Sequence, residues 1–416
     1  MVLPLTTDPS QVADRLAEVT RESRARLLAL LAAAGRDVAA AEDALADATE
    51  RALHHWPTEG VPANPEGWLL VVARNRLRDS WKSAAQRRSV PLDEIEHDTI
   101  EFDEFSDLPD RRLALMMVCA HPAIAESVRT PLMLQVVLGV DAAAIAAAFA
   151  VEPAAMAQRL VRAKKRIRDA GIPFAVPERE RLAERLPALL EAVYGAYAID
   201  WQLEADGGPI ESLSAEALHL ALVLAELLPD EPEVLGLAAM VCLSGARQAA
   251  RCGEDGCFVP LDDQDVARWD RELIARGERL LTRAHGSHHP GRFQYEAAIQ
   301  SVHCSRQETG PLDADRLRTL RTLHRALIRV SPSLGASVAL AALDGELEGP
   351  EAGLRALDAL GAAAARFQPA VVVRAHLLDV AGCPEAAADC YRRAIALTRA
   401  PAVAAYLGRR LRTRFG

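Results

Sequence analysis

Residues 141–169 read DAAAIAAAFAVEPAAMAQRLVRAKKRIRD. Asp141 is placed to cap a short helix, since a side-chain carboxylate satisfies free N–H groups at a helix start. That helix has Ile145 and Phe149 among its apolar residues. Val151-Glu152-Pro153 breaks it, and Pro153 suits the first turn of a new helix, where a missing N–H costs nothing. In the new helix Met156, Leu160, Ala163 and Ile167 recur at spacings of four, three and four, which predicts one buried stripe. The other faces carry Gln158, Arg159, Arg162, Lys164, Lys165, Arg166 and Arg168, and between Pro153 and Arg168 no acidic residue offsets six basic ones. Two short helices with a tight turn, the second strongly basic, predict a DNA-binding helix-turn-helix. The N-terminal end of such a helix meets base edges, so Ala154, Ala155, Gln158 and Arg159 are the expected readers. Arg162, Lys164, Lys165 and Arg166 are expected on phosphates, which position the protein without specifying sequence.

On either side of this segment the sequence predicts helix almost throughout. Alanine, leucine, arginine and glutamate dominate, and all favour helix. Breaks are expected at Pro57–Pro65, Pro91, Pro109, Gly171–Pro177, Asp206–Pro209 and Ser287–Gly291, where Pro and Gly cluster. Helices are expected at about 10–35, 38–55 and 65–87, with four short ones between 111 and 170. The net charge of −10 is unevenly spread: residues 1–92 are neutral, 93–110 carry nine acidic and no basic side chains, 111–175 are net +5 and 176–416 net −6. Such changes of sign imply parts with different partners. The domains expected are 1–92, an acidic linker 93–110, the helix-turn-helix domain 111–175, and a helical extension 176–416.

A second motif lies upstream. Ala40–Trp56 reads AAEDALADATERALHHW, where Glu42, Asp43, Asp47 and Glu50 line an apolar stripe of Ala44, Leu45, Ala48, Ala52 and Leu53. An acidic helix of this kind suits a basic partner helix. The next helix, EGWLLVVARNRLRDSWKSAAQRRS, places Trp68 and Trp81 among Arg74, Arg76, Arg78, Lys82, Arg87 and Arg88, with Asn75 between. Aromatic groups interleaved with guanidinium groups suit unstacked bases, each stacked base being worth ~1–3 kcal/mol. The competing reading makes both tryptophans core residues.

These blocks, in this order, resemble an extracytoplasmic-function bacterial sigma factor. Ala41–Leu53 is similar to the sigma helix that grips the polymerase clamp helices. Trp68–Arg88 is similar to the promoter-melting helix, with its W-L-x-x-x-A-R-N opening, and Val151–Arg168 to the recognition helix for the upstream promoter element. The resemblance implies an all-α protein: two small sigma domains joined by the acidic linker, which would thread toward the RNA exit channel. It implies core RNA polymerase and promoter DNA as partners, with Trp68, Arg74, Asn75, Arg78, Trp81, Lys82, Arg87 and Arg88 opening the downstream element, and a base captured near Pro57–Pro65. Glu42, Asp43, Asp47 and Glu50 would face the polymerase. Segments Ala120–Val140, Pro260–Leu281 and Gly291–His303 resemble a sigma subgroup with a long helical extension, although Tyr194–Asp200 lacks that subgroup's asparagine-glutamate-glycine pattern.

In the extension, Gly382, Ala387, Tyr391 and Ala394 fall at tetratricopeptide spacings, so a tetratricopeptide-like fold is expected. Stacked helix pairs build concave surfaces for a regulatory protein or peptide. No catalytic constellation is present: no P-loop, G-x-G-x-x-G, G-x-S-x-G or H-E-x-x-H. Neither His285, His288, His289, His303 and Cys304 nor Cys252 and Cys257 have zinc-site spacing, so no metal or cofactor is expected. No apolar run reaches membrane-spanning length and the N-terminus shows no export signal, so a cytoplasmic protein with no membrane partner is expected. The alternative is a stand-alone helix-turn-helix regulator with a sensing repeat domain, which leaves the 40–56 helix and the linker without a purpose.

Overall fold

The computed structural model describes residues 9–88, 111–174, 177, 179–204, 211–253, 257–286, 290–398 and 400–415. Within these the chain is all-α, with one isolated antiparallel bridge between Cys252 and Phe258. It divides into two compact units, Met1–Ala196 and Tyr197–Gly416.

The first unit begins with α1 (Pro9–Gly35), α2 (Val38–Glu59) and α3 (Pro65–Arg88), which pack on one another. Asp37 starts α2 by accepting from the N–H groups of Ala39 and Ala40 at 3.0 and 3.1 Å. The α2 residues Ala41, Ala44, Leu45, Ala48, Ala52 and Trp56 are buried, so the helix turns a stripe of mostly small residues inward and can lie close to its neighbours. Its end departs from expectation. The helix runs through Pro57 to Glu59, and the break is confined to residues 60–64. A proline ring crowds the carbonyl four residues earlier and removes its donor. Here that residue is Leu53, which is exposed, so water can take the freed carbonyl. Leu53 therefore lies outside the buried stripe expected for it.

The unit continues with α4 (Arg111–Cys119), α5 (Glu126–Val136), α6 (Ala142–Ala148), α7 (Pro153–Asp169), α8 (Arg179–Leu182) and α9 (Leu186–Glu204), and the division between units falls within α9. Leu113, Leu115, Met116 and Met117 of α4 and Leu132 and Met133 of α5 are buried, and α5 packs on α4, α6 and α7. This group is tied to the first by α4, which packs on α1, and by α7, which packs on α2.

In the second unit come α10 (Glu211–Leu227), α11 (Pro232–Gly245), α12 (Arg271–Ala284), α13 (Arg292–Cys304), α14 (Arg306–Thr309), α15 (Ala314–Val330), α16 (Leu334–Glu348), α17 (Pro350–Ala359), α18 (Gly361–Ala365), α19 (Gln368–Val380), α20 (Pro384–Leu397) and α21 (Pro401–Phe415). Each long helix packs chiefly on those next to it in sequence. Small residues set the approach: a side chain on Gly353 would put its first carbon 2.7 Å from the Ala341 carbonyl oxygen. Gly382 turns the chain between α19 and α20 at φ +75°, and Ala387, Tyr391 and Ala394 are buried.

Candidate nucleic-acid and polymerase interface

Helices α6 and α7 are separated by four residues, and the chain bends by 112° between them. The Asp141 side chain accepts from Ala143 N at 2.8 Å, so it caps α6, and Pro153 opens α7. The turn is held by Val151 N donating to Ala146 O at 2.9 Å, with Ala150 in the left-handed region at φ +51°. Ile145, Met156, Leu160, Ala163 and Ile167 are buried. Phe149 is not: expected on the same helix as Ile145, it instead follows the last residue of α6 as its C-cap and is exposed.

The face of α7 opposite the stripe is open. Ala154, Gln158, Arg159, Arg162, Lys165 and Arg166 are exposed, and Ala155 is half-buried. Val161, which the sequence reading passed over, is 66% exposed in the middle of that face. The available signal was an apolar residue off the buried stripe. A cationic, solvent-facing helix of this shape can lie along a phosphate backbone while its first turns meet base edges.

Lys164 does not join that face. Four residues after Leu160 and three before Ile167, it lies at the border of the stripe. Its Nζ lies 2.6 Å from Glu42 Oε2 on α2, with side chains 12% and 19% exposed. Arg24 of α1 reaches the other Glu42 oxygen at 3.5 Å. Near the end of α7, Arg168 meets Asp37 at 3.4 Å, and the Asp37 carboxylate, then the bond to Asp169, hold its pKa above the ordinary arginine value. Of the expected polymerase-facing acids, Asp43 and Glu50 are exposed. Asp47 is paired within the chain, with Arg51 at 3.1 Å and Arg76 at 3.7 Å.

On α3 the two tryptophans have separate surroundings. Trp68 is half-buried and meets the buried Trp56 edge-on, with ring centroids 5.5 Å apart at 69°. Trp81 lies on Gly35 at the end of α1, where a first side-chain carbon would come within 2.7 Å of its ring, yet it stays 42% exposed. Asn75 and Arg78 are exposed. Arg74 is half-buried, and burial, then the neighbouring charge of Arg78, lower its pKa. Asn64 caps this helix by accepting from Gly67 N at 2.9 Å. The side chains of Lys82, Arg87 and Arg88 lie outside the described residues, as does the whole acidic linker 93–110.

No single helix among the described residues is long and apolar enough to cross a membrane. Among the same residues no group of three or more His, Cys, Asp or Glu side chains could hold a metal ion.

Comparison with known proteins bears directly on both units. Residues 20–88, which span most of α1 and all of α2 and α3, match the family Sigma-70 region 2. Residues 185–285 match a family of unknown function, DUF6596. The chain is 33% identical over 382 residues to the protein "Uncharacterized protein R00370" of Rhizobium meliloti (strain 1021), with 89% of each chain covered. No solved structure matches it. The expectation of a sigma factor is thus met by its first block, and a sigma factor is not an enzyme. The chain belongs to the family of that Rhizobium protein and is a sigma factor that binds RNA polymerase, with a sigma-70 region 2 toward its N-terminus and a DUF6596 segment C-terminal to it.

Proposed function

We propose that the protein is an alternative sigma factor of the extracytoplasmic-function type, which recognises two promoter elements and promotes strand opening. In this reading α2 docks on core polymerase through Asp43 and Glu50, with Glu42 and Asp47 behind them. Helix α3 and the 60–64 loop receive the downstream element, with Trp68, Arg74, Asn75, Arg78 and Trp81, and further along Lys82, Arg87 and Arg88, facing the opened strand. Unstacking a base costs a few kcal/mol, which stacking and phosphate contacts offset. Helices α6 and α7 form a helix-turn-helix that reads the upstream element in the major groove. The linker 93–110 threads through the polymerase as a mimic of a nucleic-acid backbone. The second unit is a tetratricopeptide-like module that regulates the sigma domains, taking a regulatory protein or peptide, and the chain acts in the cytoplasm.

The observation that carries the two-element reading is the exposed face of α7, where Gln158, Arg159, Arg162, Lys165 and Arg166 stand clear of the buried stripe after a 112° bend. Replacing Arg159 by alanine is the test. Holoenzyme carrying Arg159→Ala should transcribe about tenfold or more weakly from promoters with the upstream element, since a good base contact is worth ~1–3 kcal/mol. Unchanged transcription and promoter affinity would exclude α7 as the reading helix.

A further inference from the structure

In the second unit one buried guanidinium, that of Arg247, has no carboxylate partner among the described residues. Arg247, in the bend after α11, is 6% exposed. Its Nη2 donates to Gln300 of α13, and its guanidinium lies 5.9 Å from the centroid of the Trp269 ring. Among the described residues no carboxylate pairs with it. Burial is the largest influence and lowers its pKa; Cys304 and Tyr197 act against this, and the nearby charges of Arg251 and Arg306 act with it. Arg306 is offset only at its outer end, by an Asp262 side chain that is 80% exposed and 2.6 Å away.

Hydrogen bonding is unbalanced in the same sense. Arg247 Nε, Trp269 Nε1 and Arg306 Nε are buried and meet no acceptor. All three are obligate donors. His303, three residues after Gln300 on α13, is nine-tenths buried with an unpartnered Nδ1, and its pKa falls to about 3, through burial first and then Arg247, Arg306 and His324. One acceptor, Gln264 Oε1, is orphaned in the loop that leads to Trp269. Buried polar groups are almost always satisfied, and a buried charge without a counter-charge is among the costliest arrangements in a protein interior. The missing element has negative charge and several lone pairs. An oxyanion supplies both, and a planar guanidinium binds such groups well.

We infer that the cluster around Arg247 is a binding site for a small oxyanion, either free phosphate or the carboxylate of a small acid. Its donors come from separate elements: the bend after α11, the loop before α12, and the α13–α14 turn. A bound anion therefore ties these elements together and stabilises the unit that contains them. This site is independent of the DNA and polymerase surfaces, and its test needs neither.

The test is calorimetric unfolding of the full chain in phosphate-free buffer at constant ionic strength, titrated with inorganic phosphate, acetate or chloride up to about 10 mM. A ligand that binds only the folded state raises the transition as its concentration passes the dissociation constant, by roughly 5–11 °C at a hundredfold excess for a unit of this size. Phosphate or acetate should give a saturable rise and chloride none, and the two oxyanion arms identify the source. Arg247→Met should unfold no earlier than wild type without oxyanion and should lose the rise. If Arg247→Met fails to fold, Trp269→Phe retains an aromatic six-membered ring but loses the indole N–H donor, and should weaken the apparent affinity about tenfold. A wild-type transition insensitive to both oxyanions would overturn the site. So would a rise that survives intact in these variants, or an Arg247→Met protein less stable by the same margin with and without oxyanion.

Discussion

Lys164 of α7 and Glu42 of α2 form an ion pair 2.6 Å long with both side chains largely out of water. A basic residue of the helix proposed to grip DNA thus holds an acidic residue of the helix proposed to grip polymerase. Removing one member of such a pair strands the other in a poorly hydrated place. Lys164→Ala should cost about 2–3 kcal/mol in chemical unfolding, somewhat less than for a fully buried pair, and the exchange Glu42→Lys with Lys164→Glu should recover part of it. A loss below about 0.5 kcal/mol would place this pair with ordinary surface ion pairs.

Gly35 and Trp81 make a second exacting contact. A first side-chain carbon at Gly35 would lie only 2.7 Å from the indole ring, so Gly35→Val must displace Trp81. The expected cost is about 1–3 kcal/mol, with a shift in tryptophan emission as the ring moves into water. Unchanged emission and stability would mean that the ring is not seated on α1.

Lys165 faces solvent on α7, away from Glu42. If it meets phosphate, Lys165→Ala should weaken promoter binding by holoenzyme about equally across sequences and lower the slope of log affinity against log salt by about 1. Arg159→Ala should instead relax preference at one base position. The two salt series separate a positioning contact from a reading one.

Burial drives His303 to about 3 and His324 to about 4, below the unfolded value near 6.5. Their folded pKa values are depressed, so the unfolded chain binds more protons between those limits. Stability from these groups is therefore complete above pH 6.5 and falls as the pH drops toward 4 and then 3. His324→Leu should flatten part of the decline between pH 6.5 and 4 in urea unfolding curves. A variant whose pH dependence parallels wild type would contradict the burial of that ring.

The helical class and the inward stripe of α7 were legible because 3.6-residue periodicity survives without knowledge of neighbours. What the stripe packs against was not. Lys164 looked like one more cation on a basic helix, and only the approach of α2 shows that it points at Glu42. Its position between Leu160 and Ile167 was the available sign. Phe149 carries no boundary signal in the sequence, and an apolar residue at a helix end can fall just past the last turn, as it does here. Pro57 predicts a break because it removes a hydrogen bond and crowds the carbonyl four residues back; it sits in the last turn of α2, where Leu53 is exposed and the lost bond costs less. The buried cations around Arg247 left no periodic trace, since their partners come from a loop and from α13.

Assembly with core RNA polymerase, followed by transcription from a promoter carrying both elements, is the most direct measurement. Purified chain added to core enzyme should give a stable complex and promoter-dependent transcripts, and Asp43→Lys with Glu50→Lys should abolish both while the fold is retained. A chain that binds the promoter alone and never joins the polymerase would contradict a sigma factor and leave a stand-alone regulator.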